Sequence, residues 1–178
     1  MSFNNPQRNI EGLELNHGMK IADIGTGSGV YAFYSAKMVG DGGKVYAVDI
    51  QQQLLLKLRT ESKRQNIHNI EFVWGDAEKK GGIKIKDATV DAAIVSNVLF
   101  QVEDKRGMVF EAVRILKSGG KLMLIDWVSS FGGLGPLNKD VFSKEEAKGL
   151  AFEAGMSLFK EFDAGDHHYG LIFVKKEI

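Results

Sequence analysis

Five short apolar segments typical of strands are interspersed with segments of helical periodicity along this chain, and a further helix and two closely spaced strands follow. Such alternation predicts an α/β domain with a mainly parallel sheet covered by helices on both faces. Too few residues join the last two strands for a parallel crossover, so we expect that pair to be antiparallel. The predicted strands are Met19–Ile24, Lys44–Ile50, Asn69–Trp74, Val90–Ser96, Lys121–Trp127, Leu158–Phe162 and Gly170–Lys175, and the predicted helices are Pro6–Leu13, Val30–Val39, Gln51–Gln65, Arg106–Leu116 and Ser143 to near Gly155.

Two of the predicted helices carry end signals. Ser118-Gly119-Gly120 follows the fourth helix, and we expect these residues to stop it. Ser143 precedes the last helix, and Glu146 three residues later completes the spacing of a capping box. The first signal makes Lys121 the expected start of the fifth strand.

The composition fits one domain without a dominant charge. A chain of 178 residues is long enough for one domain of ordinary size, so residues 1–178 are predicted to form a single unit. The 23 Lys and Arg residues balance the 23 Asp and Glu residues. Because no long-range positive field results, a nucleic-acid partner is not indicated.

Several kinds of site and location are excluded or disfavoured by what the sequence lacks. It has no cysteine, which excludes disulfides, zinc–thiolate sites and cysteine nucleophiles. No apolar run approaches the roughly 20 residues of a membrane span, and the N-terminal residues lack a signal-peptide pattern. We therefore expect a cytoplasmic protein with no membrane span. The sequence leaves open whether it is a monomer or a homodimer.

The segment Ile21-Ala22-Asp23-Ile24-Gly25-Thr26-Gly27-Ser28-Gly29 leaves a predicted buried strand and enters a helix. Glycines in such a turn let the backbone approach a ligand closely. The dinucleotide fingerprint would require glycine where Val30 stands. A pyrophosphate prefers a bare helix N-terminus, whereas Asp23 favours a ligand with a positive end. S-adenosylmethionine has such an end in its sulfonium and α-amino groups.

Two further acids end the next two predicted strands. Asp49 lies about twenty residues after the glycine loop, where a carboxylate can accept ribose hydroxyls in this type of sheet. Asp76 follows the third strand, where an acid can accept the adenine amino group. Taken singly, Asp49 is also explained as a helix cap and Asp76 as a turn residue. Together with Asp23 they predict a ligand site at the carboxyl edge of the sheet.

Five segments together resemble the class I S-adenosylmethionine-dependent methyltransferases across nearly the whole chain: IADIGTGSG, VYAVDI, WGDAEK, VDAAIVSNVLFQVEDK and EAVRILKSGGKLMLIDW. Within that family the chain is similar to the small enzymes grouped with quinone-biosynthesis C-methyltransferases. The resemblance implies a Rossmann-like seven-stranded sheet in the order 3-2-1-4-5-7-6, with strand 7 antiparallel. It also implies methyltransferase activity with S-adenosyl-L-methionine as cofactor.

The resemblance further assigns the cofactor-binding residues. Asp23, Gly25 and Gly27 would line the methionine end of the cofactor, and Asn97 would sit beside the transferring methyl group. Asp49 would hold the ribose. The remaining assignments are Thr26, Ser28 and Gly29 in the loop, Ile50 beside the adenine, and Asp76 with Ala77 at the adenine edge.

The methyl acceptor is expected to contact three segments that follow strand ends: Asn97–Glu103, Val128–Phe142 and Ala164–Tyr169. His167 and His168 lie in the last of these and are candidate catalytic residues, since imidazole can remove a proton near neutral pH. An ordinary polar hairpin turn explains the same residues equally well. No metal site is predicted, because adjacent histidines in a turn diverge and no third ligand is evident.

Neutral charge favours a small-molecule acceptor over RNA or protein. The absence of cysteine argues against a match to arsenite-methylating relatives. A catalytically inactive cofactor-binding partner protein stays an alternative, and Val30 and Asp23 disfavour a nucleotide-dependent oxidoreductase.

Overall fold

The computed structural model describes residues 5–131, 133 and 135–176. Gly132 and Leu134, which belong to the predicted acceptor-side segment Val128–Phe142, lie outside the described residues. The helices are Pro6–Glu11 (α1), Val30–Val39 (α2), Gln52–Arg64 (α3), Lys105–Ile115 (α4) and Lys144–Glu153 (α5), with a short 3₁₀ turn at Asn138–Asp140. The strands are Lys20–Ile24 (β1), Lys44–Asp49 (β2), Ile70–Trp74 (β3), Val90–Ser96 (β4), Leu116–Trp127 (β5), Met156–Asp163 (β6) and His168–Lys175 (β7).

The strands of the described chain form one sheet in the order β3-β2-β1-β4-β5-β7-β6. Strands β1 to β5 pair in parallel, whereas β7 runs antiparallel to both β5 and β6. This is the Rossmann-like arrangement that the family resemblance implied, and that expectation is confirmed. The carboxyl ends of β1 to β4 therefore meet at one edge, where the candidate acids lie.

Side chains alternate between the two faces of the sheet because successive residues of a strand point in opposite directions. Val95 and Leu124 are fully buried in a core that includes helices α4 and α5. Ile94 and Met123, one residue earlier in each strand, are fully buried in a second core with α1 and α2. Both faces of the central strands are covered, which explains their nearly continuous apolar sequence.

The junction between α4 and β5 differs from the sequence prediction. The helix ends at Ile115, because Leu116 has an extended backbone and pairs with Val90 of β4. The next aligned pair joins Lys121 to Ala92, so residues 117–120 bulge out of the ladder. The prediction that Ser118-Gly119-Gly120 stops the helix is therefore wrong, since the glycines serve this bulge instead. The capping box of Ser143 and Glu146 is confirmed.

A buried ion pair holds the connection between β3 and β4 against helix α4. Glu111 is 2% exposed and accepts hydrogen bonds from the amides of Gly81 and Ile83, both at 3.0 Å. Arg114 binds the same carboxylate at 2.7 Å and also donates to the carbonyl oxygens of Ile83 and Ile85. Burial alone would raise the pKa of Glu111, but the hydrogen bonds from Arg114 and the amides hold it below its ordinary value. The pair fixes the segment that follows Asp76.

Candidate functional site

A cavity of about 520 Å³ lies at the carboxyl ends of β1 to β4, and its volume is typical of a small-molecule site. The loop after β1 forms one wall, and the ends of β2, β3 and β4 form the others. It is lined by Pro6, Gly25, Thr26, Gly27, Ser28, Val30, Tyr31, Val48, Asp49, Ile50, Gln51, Leu54, Gly75, Asp76, Ala77, Glu78, Ser96, Asn97, Val98, Gln101, Val102 and Met108. The structure thus brings together nine of the predicted cofactor residues, all except Asp23 and Gly29.

The loop between β1 and α2 requires its glycines. Gly25 has a φ of 70°, a left-handed conformation that residues with a Cβ rarely adopt. A Cβ at Gly25 would lie 2.8 Å from Cγ2 of Val98, in the segment after β4. Glycine at this position therefore lets the loop pack closely against another wall of the cavity.

Replacing Gly25 with alanine tests this close packing. Gly81 is a matched control, because its φ is also 70° but nothing lies within 4 Å of its would-be Cβ. In both variants an alanine must adopt a left-handed backbone conformation, which lowers stability by a similar amount. We expect Gly25→Ala to lower the free energy of unfolding by about 1 kcal/mol more than Gly81→Ala, because Val98 must shift. Urea unfolding of the two variants measures the difference, and equal losses would show that the contact with Val98 is unimportant.

The backbone amides of this loop are largely used within the protein. The amides of Gly25 and Thr26 donate to the carbonyl oxygen of Val48, and the amide of Gly29 donates to that of Thr26. The amide of Gly27 donates to Oδ2 of Asp49 at 3.0 Å. Four of the five amides from Gly25 to Gly29 are thus engaged, so the loop is poorly suited to bind a phosphate group.

Asp49 ends β2 and is 7% exposed at the cavity wall. Its Oδ2 accepts from Gly27, and its Oδ1 accepts from the amide of Gln51 at 2.9 Å. These bonds fix the carboxylate and leave lone pairs on both oxygens, because a carboxylate can accept about four hydrogen bonds. Asp49 is therefore a preorganised acceptor for hydroxyl groups.

Asp23 lies beneath the loop and is absent from the cavity lining. Its Oδ2 accepts from Oγ1 of Thr26 at 2.6 Å and from the amide of Ala32 at 3.1 Å. Burial raises the pKa of Asp23 to about 6, and the nearby charge of Asp49 adds to this increase. A cation placed near Asp23 would favour its charged form.

The third acid, Asp76, lines the cavity after β3 together with Ala77. Its carboxylate accepts from the amide of Glu78 at 3.1 Å and pairs with Lys79 at 2.9 Å. Lys79 holds the pKa of Asp76 below its ordinary value. Ile50 also lines the cavity, is 57% exposed and offers an apolar contact surface.

Two polar side chains at the end of β4 are buried in the lining without partners. Within the described residues, Oγ of Ser96 and Oδ1 of Asn97 make no hydrogen bond. The amide of Asn97 donates to the carbonyl oxygen of Ile125, with a φ of 56° at Asn97. Unpartnered buried acceptors are rare because each costs roughly 1–3 kcal/mol. Both residues line the cavity, although these two oxygens are themselves buried behind its surface.

The charge of the lining is one-sided. It contains the acids Asp49, Asp76 and Glu78, whereas none of the described lining residues is Lys, Arg or His. A cavity of this kind favours a cationic ligand and repels a pyrophosphate. This geometry agrees with the preference inferred from Asp23 and Val30 in the sequence.

The two candidate histidines lie at the same sheet edge but outside the cavity lining. His168 pairs with Trp127 across β7 and β5, and their ring centroids are 4.3 Å apart. The ring centroids of His167 and Phe131 are 3.6 Å apart. The turn is therefore beside the end of β5, as the topology predicted. The catalytic role of His167 and His168 stays a prediction.

Sequence reasoning missed a buried acid at the end of β5. Asp126 is fully buried and accepts from the amides of Trp127 at 2.8 Å and Phe100 at 3.3 Å. Burial raises the pKa of Asp126 to about 6. The carboxylate ties the segment after β4, which lines the cavity, to the end of β5. An acid within the apolar run Leu122–Trp127 was the available signal.

Comparison with known proteins decides the family. Residues 15–163 match a family model described as a methyltransferase domain. The chain belongs to this family. The resemblance to class I S-adenosylmethionine-dependent methyltransferases is thereby confirmed.

A solved SAM-dependent methyltransferase from Aquifex aeolicus is similar to this methyltransferase domain. The two have 26% sequence identity and a TM-score of 0.86, and the match covers 96% of this chain and 89% of the other. Close similarity over both chains supports the same sheet topology and a ligand site at the same edge of the sheet.

Two curated relatives are similar over shorter regions. The ubiquinone/menaquinone biosynthesis C-methyltransferase of Cronobacter sakazakii is 30% identical over 126 residues, which cover 70% of this chain and 48% of that protein. The arsenite methyltransferase of Halobacterium salinarum is 27% identical over 113 residues, covering 64% and 28%. The chain thus spans half or less of each relative. The absence of cysteine led us to expect no match to arsenite-methylating proteins. This expectation is wrong, although the chain has no cysteine to supply thiolate ligands.

No helix among the described residues has the length and apolar character needed to cross a membrane. Nor do the described His, Asp and Glu side chains form a group of three or more that could hold a metal ion.

Proposed function

We propose that this methyltransferase domain transfers a methyl group from S-adenosylmethionine to a small-molecule acceptor. The observation that carries the proposal is the acidic cavity lining without a basic residue, next to a glycine loop whose amides are mostly engaged. Both features favour a ligand with a sulfonium and an ammonium group over one with phosphates. The fold similarity and family membership support the same cofactor.

The residues present fit this cofactor from end to end. Asp49 would accept the ribose hydroxyls, because its two oxygens are fixed at the cavity wall. Ile50 and Ala77 would flank the adenine, and Asp76 would accept its amino group. The methionine end would lie over Gly25 and Gly27, with Asp23 below the loop.

Methyl transfer requires positioning more than a set of reactive side chains. When bound, S-adenosylmethionine supplies a methyl group on a positively charged sulfur, which is a good leaving group. Asn97 and Ser96 line the cavity at the end of β4, where they would contact that end of the cofactor. Holding the two reactants in line contributes roughly 7–11 kcal/mol in favourable cases.

Two observations support a small molecule as acceptor. The net charge of the chain is zero, so its overall charge provides no long-range attraction for nucleic acid. Similar curated proteins carry names that refer to quinone biosynthesis and to arsenite. The acceptor would enter beside the ends of β4, β5 and β7.

S-adenosylhomocysteine, the product form of the cofactor, tests the proposal without knowledge of the acceptor. At a concentration a hundredfold above its dissociation constant, we expect it to add about 2.7 kcal/mol of apparent stability and to raise the melting temperature. NADH at the same concentration is the control and should leave the melting temperature unchanged. Stabilisation by NADH alone, or by neither compound, would refute the proposed function.

A further inference from the structure

Trp127 and His168 form a fixed pair at the carboxyl edge of the sheet. They are direct neighbours in the antiparallel ladder of β5 and β7, and His168 is 7% exposed. The carbonyl oxygen of His167 accepts from the amide of Val128, which joins the two chain segments beyond the pair. A Cβ at Gly135 would lie 2.6 Å from the Trp127 ring, so the backbone there packs against the indole.

The hydrogen bonds of His168 determine which ring nitrogen carries a proton. Nδ1 lies 2.9 Å from the carbonyl oxygen of Asp166. Because a carbonyl oxygen can only accept, Nδ1 must carry the hydrogen, and Nε2 of the neutral ring presents a lone pair. Burial lowers the pKa of His168, which keeps the ring neutral at physiological pH.

Nε2 of His168 is a buried acceptor with an unused lone pair. Within the described residues it makes no hydrogen bond. Native structures satisfy most buried polar groups, so an exception calls for an explanation such as a functional partner. A ligand that donates a hydrogen bond to this nitrogen would remove the free-energy cost of burying it without a partner.

The position of the pair relative to the cavity is fixed by the strand register. Trp127 is two residues beyond Ile125, and His168 is four residues before Ile172, so both project to the face that carries α1 and α2. Ser96 of the cavity pairs with Ile125 across β4 and β5. β7 is therefore two strand spacings from β4, or about 10 Å. Side chains from β4 and β7 can reach one small molecule between them.

We propose that the methyl acceptor binds beside the Trp127 and His168 rings and donates a hydrogen bond from a hydroxyl or N–H group to Nε2 of His168. This inference rests on the proposed function and names the substrate class of that site: a small molecule with a proton-bearing oxygen or nitrogen next to an apolar ring. It also selects His168 over His167, whose ring packs against that of Phe131 at an angle of 37°. Because Nε2 is buried, the groups that cover it must shift when the acceptor binds, and local rearrangements of this kind are common at binding sites.

Nuclear magnetic resonance of the imidazole nitrogens tests the site directly. The full chain has four histidines, so ¹⁵N-histidine labelling gives few signals. The imidazole signals of His168 and His167 are assigned by their loss in the variants His168→Phe and His167→Phe. In the free wild-type protein we expect Nδ1 of His168 to be protonated and Nε2 to be unprotonated. A protonated Nε2 would overturn the inference. The measurement is made on the wild-type protein, and the variants serve only to assign its signals.

Phenol and anisole then probe the site in protein saturated with S-adenosylhomocysteine, because they share a ring and only phenol donates a hydrogen bond. We expect phenol to shift Nε2 of His168 saturably and to bind roughly tenfold more tightly than anisole, as one hydrogen bond provides. His168→Phe should abolish this preference, whereas His167→Phe should retain it. Equal binding of the two probes, or a preference that survives His168→Phe, would overturn the inference.

The result is separable from the test of the proposed function. Stabilisation by S-adenosylhomocysteine is measured by the melting temperature and does not involve His168. A protein that is stabilised but binds phenol and anisole equally would refute only the acceptor site. A protein that is not stabilised would refute the cofactor, whatever the state of His168.

Discussion

Replacing Glu111 with alanine is expected to lower the free energy of unfolding by about 3–5 kcal/mol, because it breaks a buried ion pair by removing one partner. The amides of Gly81 and Ile83 lose their acceptor, and Arg114 loses a buried carboxylate at 2.7 Å. The melting temperature should fall by roughly 10 °C. Urea unfolding and a thermal scan measure the two quantities.

The chain offers a matched control in Glu61 and Arg64, which have the same i,i+3 spacing on helix α3. Their charged groups are 2.6 Å apart, but the Arg64 side chain is 75% exposed, against 18% for Arg114. Glu61→Ala should change stability little, since solvent screens an exposed pair. If both substitutions had the same effect, the difference in burial would not explain the role of Glu111.

The same ion pair shows where sequence reasoning about the fold stops. Alternation of apolar segments predicted the seven strands, because apolar segments and the spacing between them are local signals, and the family resemblance implied the strand order. Glu111 and Arg114 lie in a segment that also fits an ordinary exposed helical face. Only the tertiary structure brings the segment 81–87 against them. The partner of a buried charge can lie far away in the sequence, so the local residue pattern around Glu111 does not reveal it.

The junction of α4 and β5 shows a second limit. Ser118-Gly119-Gly120 has the composition of a helix stop, and the local rule placed the boundary there. In the structure the pairing of Leu116 with Val90 ends the helix earlier, and the glycines form a bulge. Strand pairing overrode the local preference, as tertiary contacts commonly do.

The candidate site was more predictable on its cofactor side than on its acceptor side. Asp49 and Asp76 could be found because strand ends and acids are both local signals, and the sheet brings them to one edge. Val98 and Gln101 line the cavity as well, yet nothing in their residue types indicates a site. The unpartnered Nε2 of His168 depends on the carbonyl of Asp166 and on the packing of Trp127, which sequence alone does not reveal.

Asp49→Ala is expected to weaken S-adenosylhomocysteine binding by about 3 kcal/mol, or on the order of 100-fold, because hydrogen bonds to a charged group are worth roughly 1.5–3 kcal/mol each. The substitution also frees the amides of Gly27 and Gln51, so some stability will be lost. Asp163→Ala is the matched control, since Oδ1 of Asp163 accepts from the amide two residues later, as Oδ1 of Asp49 does. Asp163 lies outside the cavity lining, so this variant should keep its affinity. Isothermal titration of both folded variants measures the effect, and an unchanged affinity for Asp49→Ala would reduce that carboxylate to a support for the loop.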